Sequence, residues 1–133
     1  MLVETRDVAG LADASRFAIN GGAGALLVLD DGALLFPHRA RIADLALKSR
    51  LPTMGGSTPE AEAGYLASYG FRQSYMDQRV AVFVDRILRG ARPADLPIEQ
   101  MTRFDLVINL KTAKALGLTI PPSVLARAAE VIK

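Results

Sequence analysis

The run Gly24-Ala25-Leu26-Leu27-Val28-Leu29, closed by Asp30-Asp31-Gly32, constrains the fold of this chain more than any other stretch. An unbroken apolar run of this length, ended by an Asp-Gly turn, is the pattern of a strand buried on both faces, and such strands belong to parallel sheets. The flanking segments agree. Ahead of it, Leu11, Ala14, Phe17 and Ala18 recur at helical spacing and stop at Gly21-Gly22, which predicts a helix over 11–20 with a glycine stop. Behind it, Phe36, Ala40, Ala43, Leu45, Ala46 and Leu47 alternate with Arg39, Arg41, Asp44 and Lys48, a second helix. Leu51-Pro52-Thr53-Met54, ending at Gly55-Gly56, is a second strand. Strand, helix and strand joined by short connections form a right-handed βαβ unit, so the fold class is α/β with a parallel sheet.

The remaining elements follow from capping and periodicity. Residues 2–5 read as the end of a strand. Thr58 caps a helical turn with Pro59 at its first position, and residues 64–70 form a glycine-bounded strand. Residues 73–89 give the strongest helix, with Met76, Val80, Phe83, Val84, Ile87 and Leu88 on one broad face and Gly90 at the end. After a loop holding Pro93 and Pro97, Ile98-Glu99-Gln100 reads as a short strand and 104–108 as a longer one. Asn109 caps a helix over 110–116 that Gly117 ends. A last helix is expected from Ile120-Pro121-Pro122-Ser123 to Ile132, turning Val124, Leu125, Ala128 and Val131 inward.

Composition narrows the function classes. The 133 residues are half apolar and 23% charged, a balance that favours an ordered chain. Lys and Arg total 16 against 14 Asp and Glu, spread along the chain, so no basic footprint for nucleic acid exists. Its apolar runs fall far short of the roughly 20 residues that span a bilayer. Cysteine is absent, which removes thiol catalysis and cysteine-based metal sites. The first residues, Met1-Leu2-Val3-Glu4-Thr5-Arg6, lack the pattern of a secretory signal.

One long stretch carries a resemblance. It begins at Tyr69-Gly70, runs through Ile87-Leu88-Arg89-Gly90-Ala91-Arg92-Pro93-Ala94-Asp95-Leu96-Pro97-Ile98-Glu99, and closes with Ile108-Asn109-Leu110-Lys111-Thr112-Ala113-Lys114-Ala115-Leu116-Gly117-Leu118-Thr119-Ile120-Pro121. This string resembles the C-terminal part of the ABC-transporter substrate-binding family that includes the tryptophan and tyrosine importers' binding proteins. It covers about half the chain without gaps, and residues 25–29, the helix containing His38 to Ala43, and Leu51-Pro52 fit less specifically. The resemblance implies a periplasmic-binding-protein-like fold of type I. In it residues 1–63 supply a βαβ portion of the second lobe, while 64–133 supply a crossover strand, the long helix and a C-terminal segment belonging to the other lobe. It further implies that a signal peptide and most of a first lobe precede Met1, that the mature protein is periplasmic or extracytoplasmic, and that an ABC permease is its partner. Its role would be non-enzymatic and would use no cofactor: a small solute, with an amino acid as one candidate, held between two lobes. With the first lobe missing, the apolar face of the helix from Met76 to Leu88 should be stranded and drive a homodimer.

The candidate binding residues are Asp30, Asp31, Ser57 and Tyr69. Ligands of open α/β sheets sit beyond the carboxyl ends of the strands, where Asp30 or Asp31 could take an ammonium or hydroxyl group; an Asp-Gly turn with solvated side chains explains them equally. The same acidic pair occurs in receiver domains, but no later strand here supplies the phosphorylatable Asp. Gly55-Gly56-Ser57-Thr58 could cradle an anion or line a ligand loop, and it is also ordinary turn chemistry. Tyr65, Tyr69 and Tyr75 fall close together and could form an aromatic wall, although aromatic residues in strands are mostly core. His38 stands alone, and Glu60 and Glu62, two apart, point to different faces. The competing reading is a complete cytoplasmic flavodoxin-like regulatory or enzymatic domain, whose mark would be a sheet covered on both faces within one monomer.

Overall fold

The strands are short and the sheet is held by what lies between them. The structure, a computed structural model, describes residues 1–29 and 32–133. α1 (Leu11–Asn20) leads into β1 (Leu26–Leu27), and α2 (Arg39–Lys48) connects β1 to β2 (Thr53–Gly55). α3 (Thr58–Glu62) connects β2 to β3 (Ala67–Gly70), and α4 (Gln73–Leu88) leaves the sheet. The chain returns as β4 (Asp105–Asn109), followed by α5 (Leu110–Leu116), α6 (Pro122–Leu125) and β5 (Glu130–Ile132).

The five strands form one sheet in the order β1-β2-β3-β4-β5. β1, β2 and β3 are parallel, β4 runs antiparallel to β3, and β5 is parallel to β4. The expected α/β class and parallel βαβ unit are therefore present, with one reversal. Strands from both sides of residue 63 share this sheet.

Register assigns the faces. Gly55 lies beside Ser68, and Ser68 beside Val107, so these share a face with Asn109, two residues along β4. Val28 turns to that same side, against a core of Leu11, Ile42, Ala43 and Tyr65 brought by α1, α2 and the connection from α3 to β3. Leu27, Met54, Ala67, Tyr69 and Leu106 occupy the opposite face.

Several sequence expectations change here. β1 is buried on one face only: Leu27 is 68% and Leu29 65% exposed, because α1, α2 and α3 all gather on the other side. Residues 2–5 form no strand, and neither do Ile98-Glu99-Gln100. There the Arg79 guanidinium takes Glu99 instead, its Nε donating to Oε2 at 2.8 Å, while Ile98 is fully exposed. The final helix stops at Leu125, and Val131 and Ile132 belong to β5. The free edge of β4 accounts for this: Ala129 N–H donates to Leu106 C=O at 2.8 Å, and sheet pairing outweighs helix periodicity in a run containing two β-branched residues.

Asn109 caps α5 as expected, its Oδ1 accepting from Thr112 N–H at 3.1 Å, and Gly117 closes that helix at φ 73°, a left-handed position that favours glycine. Among the described residues no helix is long and apolar enough to cross a membrane.

α4 is the outlier. It is the longest helix, 16 residues, and not one of them is buried.

Candidate functional site

The carboxyl ends of β1, β2 and β3 open on one edge of the sheet, which also receives the start of β4. Parallel strands place their following loops there, and backbone groups left unpaired at strand ends make such an edge the usual ligand position. Asp30 and Asp31, which follow β1, lie outside the described residues. The loop after β2 is Gly56-Ser57, and the end of β3 is Tyr69-Gly70.

Ser57, not Thr58, is the N-cap of α3, in a capping box with Glu60. Glu60 Oε2 accepts both the Ser57 N–H, at 2.8 Å, and the Ser57 hydroxyl, at 2.9 Å. This carboxylate is 1% exposed. It lies over Gly55, where a side chain would collide with it: an added Cβ would be 2.5 Å from the carboxylate carbon. The consequence for the loop is chemical. A serine hydroxyl has one hydrogen to donate, and here it goes inward, so only oxygen lone pairs remain for a solute. The backbone N–H that an anion would need is engaged as well. The arrangement thus favours donors over anions at Ser57.

Two strand ends are pressed together beside this loop. A Cβ on Gly70 would fall 1.6 Å from the Gly56 carbonyl oxygen, so only glycine permits the end of β3 to pass the Gly56 backbone at this distance. Tyr69 stands on the opposite face from α3, half exposed, and stacks on Phe104 with ring centroids 5.7 Å apart and planes inclined by 28°. Arg72, just past β3, donates from Nε to Asp105 Oδ2 at 2.7 Å and lies 3.8 Å from Glu130. The hydrogen bond to Asp105, with its negative charge, raises the pKa of Arg72 above the ordinary arginine value. These contacts tie the exit of β3 to the starts of β4 and β5.

The three tyrosines do not converge. Tyr65 is fully buried in the core with Leu11 and Ile42, Tyr75 rides on α4, and only Tyr69 reaches the strand-end edge. His38 precedes α2, and among the described residues no cluster of three metal-ligating side chains forms. Glu60 and Glu62 do face apart, one buried and one exposed.

Sequence reasoning overlooked Phe104 and the role of Glu60. The second was readable, because Ser57-Thr58-Pro59-Glu60 is a capping-box string. It also missed Asn109 Nδ2, which donates to the Ala61 carbonyl at 2.8 Å and fastens α3 to β4.

Comparison with known proteins accords with this geometry. A family model described as ABC transporter substrate binding protein matches residues 10–132. The chain belongs to that family. Among solved structures it superposes on a conserved domain protein from Vibrio cholerae O1 biovar eltor with a TM-score of 0.84 at 31% identity, covering 94% of this chain and 42% of that one. It also superposes on the ABC domain in complex with L-Trp from Streptococcus pneumoniae, with a TM-score of 0.86 at 27% identity, covering 96% of this chain and 43% of that one. A ligand-free, open substrate-binding protein with adhesive properties from Clostridium difficile shares the fold, with a TM-score of 0.66 at 20% identity over 94% of this chain and 41% of that one. The search of curated proteins gave no match. This chain therefore spans 42–43% of the length of the first two solved relatives and corresponds to part of a periplasmic-binding-protein-like molecule.

Proposed function

We propose that this chain forms one side of a solute-binding site in the binding component of an ABC importer, and that the solute is an amino acid. The observation that carries this is α4. A helix of 16 residues with none buried and with Val80, Val84, Ile87 and Leu88 exposed has the face of a helix that packs on a further layer. α4 leaves the sheet at the same edge as Ser57 and Tyr69, so a layer seated on it would overhang the strand ends and enclose a solute there. On this reading the sheet, with α1 to α3, α5 and α6, is one lobe, and the segment from α4 to residue 103 belongs to the other.

Closure does the work, and no bond is made or broken. Two lobes that both touch a solute are drawn together by it, since a ligand shifts a conformational equilibrium by its differential affinity for the two states. The closed form is then handed to a membrane permease, which sets the location as extracytoplasmic. The solved relative holding L-Trp supports the amino-acid class, as does the acceptor character of Ser57, which suits an ammonium group. Without a second lobe on α4, two copies of this chain cover the exposed helix by pairing. The bare side of β1 speaks against a self-contained flavodoxin-like domain.

Amide chemical-shift mapping on the isotopically labelled chain tests this, with L-tryptophan and L-leucine added to millimolar concentration. Shifts confined to Ser57, Tyr69, Gly70 and Phe104, with weak affinity, are expected. Shifts absent from all four would overturn the site.

A further inference from the structure

An amino acid brings a carboxylate as well as an ammonium group, and Ser57 has no hydrogen left to give it. The same edge of the sheet carries a donor of the right kind. α2 runs back from the carboxyl end of β1 to the start of β2, so its first residue, Arg39, lies at the edge where the strands open. Arg39 Nη1 donates to the Phe36 carbonyl at 2.9 Å, and the guanidinium carbon sits 4.6 Å from the centre of the Phe36 ring. One face of the cation is thus held on the ring, and one of its nitrogens is pinned. Nε and Nη2 take no acceptor among the described residues. Together they form the edge of a guanidinium that grips a carboxylate through two parallel hydrogen bonds.

Charge sets Arg39 apart from the other arginines. Only Arg39 and Arg79 are half-buried; the rest are exposed. Arg79 is paired with Glu99, whereas Arg39 forms no ion pair among the described residues. A cation drawn partly out of water is normally given a counter-charge, and here none is supplied. Nor does the position serve α2, because a positive side chain at the first helical residue faces the positive end of the helix dipole, and the first turn holds no acid. The neighbouring backbone adds no donors of its own: the His38 and Arg39 N–H groups are taken up by the carbonyls of Leu35 and Phe36. The side chain alone makes the site.

We propose that Arg39 is an anion subsite on the strand-end edge and that it holds the carboxylate of the solute, while the Ser57 hydroxyl oxygen accepts from the ammonium group. The Phe36 ring sets the plane of the guanidinium and the Phe36 carbonyl fixes its rotation, so the cation is in position before the solute arrives and loses little freedom on binding. Selectivity follows from the pair. Amines lack the group that Arg39 takes, and simple acids lack the group that Ser57 takes. The anion subsite stands on Arg39 and Phe36 alone; only its assignment to an amino-acid carboxylate rests on the solute-binding reading.

NMR titration of the labelled full chain with L-tryptophan, indole-3-propionate and tryptamine tests this, following the Arg39 Nε–H and the amides of Ser57 and Tyr69. The two carboxylates should move the Arg39 Nε–H, and tryptamine should not. Arg39→Gln should weaken tryptophan and indole-3-propionate about tenfold or more and leave tryptamine unchanged, while Arg41→Gln, at an exposed arginine two residues on, should alter none of them. Equal affinity of wild type and Arg39→Gln for tryptophan, with Ser57 and Tyr69 still responding, overturns the subsite and leaves the solute-binding reading in place. Weakening of tryptamine as strong as that of tryptophan also overturns it, since Arg39 would then only shape the loop. A response of Arg39 to indole-3-propionate with Ser57 and Tyr69 silent to all three probes upholds the subsite and sinks that reading. Should Arg39→Gln unfold, the wild-type Nε–H decides: movement with indole-3-propionate and not with tryptamine supports the proposal, and any other result overturns it.

Discussion

The Glu60 carboxylate occupies the space above Gly55 that any side chain at that position would need, with a notional Cβ only 2.5 Å from the carboxylate carbon. Glycine at the end of β2 thus makes room for a buried acid, and the acid in turn fixes the loop that begins α3. Gly55→Ala would push the carboxylate off the Ser57 N–H and hydroxyl. The expected cost is about 1–3 kcal/mol, from overpacking and from a half-buried donor left without its partner. Chemical denaturation of the variant measures it, and a change below about 0.5 kcal/mol would show that Glu60 moves aside freely.

Gly70 poses a harder constraint, because its neighbour is backbone. With a Cβ 1.6 Å from the Gly56 carbonyl oxygen, Gly70→Ala can be accommodated only by separating the ends of β2 and β3. Destabilisation at or above the top of the roughly 1–3 kcal/mol range is expected. Amide shifts should concentrate at Gly56, Ser57 and Tyr69, at the strand-end edge, and leave α5 unaffected. Shifts spread evenly over the chain would contradict this local account.

These two contacts illustrate what the sequence conveys and what it withholds. Helices α1, α4 and α5 were legible because their apolar spacing and stops are local: Gly21, Gly90 and Gly117 each follow the last periodic residue. The parallel βαβ unit was legible for the same reason. The last strand was not. Val131 and Ile132 satisfy a helical pattern as well as a strand, and only the open edge of β4 decides between them. The role of Glu60 shows only in its spacing to Ser57, three residues back, and not in its nearness to Glu62. Phe104 reaches Tyr69 across 35 positions of sequence, and nothing in local composition marks such a pair. Of the candidate binding residues, Ser57 and Tyr69 lie at the strand-end edge, and Asp30 and Asp31 lie outside the described residues.

The loop after α4 is fastened by charge, which gives it a pH dependence. Hydrogen bonding to the Arg79 guanidinium holds the Glu99 carboxyl below the usual carboxylate range, and Arg79 is raised in return. A lowered folded-state value means that the pair contributes fully above the unfolded glutamate pKa of about 4.3 and is lost as pH falls through the lowered value. Glu99 is exposed to solvent, so the loosening should be local, with residues 97–100 leaving α4 while the sheet stays folded. Carbon-detected NMR titration of the Glu99 side chain reads this directly. A midpoint at or above the ordinary glutamate value would refute it, and 0.5 M salt should move the midpoint toward the ordinary value by screening an exposed pair.

The exposed face of α4 gives the most direct test of whether a partner layer is missing. Val84 and Leu88 lie four residues apart, hence on one face, and Leu88 is 81% exposed. Replacing both with lysine removes apolar surface that the isolated chain does not bury. Folding stability should therefore change by no more than about 0.5 kcal/mol, whereas self-association should fall. Light scattering over a range of concentrations is the measurement: the wild type should grow in mass toward a dimer as concentration rises, and the double variant should remain a monomer. A wild type that stays monomeric at every concentration removes the dimer. A double variant that loses several kcal/mol of stability would mean that α4 packs against its own sheet, and with that the reading of α4 as the seat of a second lobe would fail.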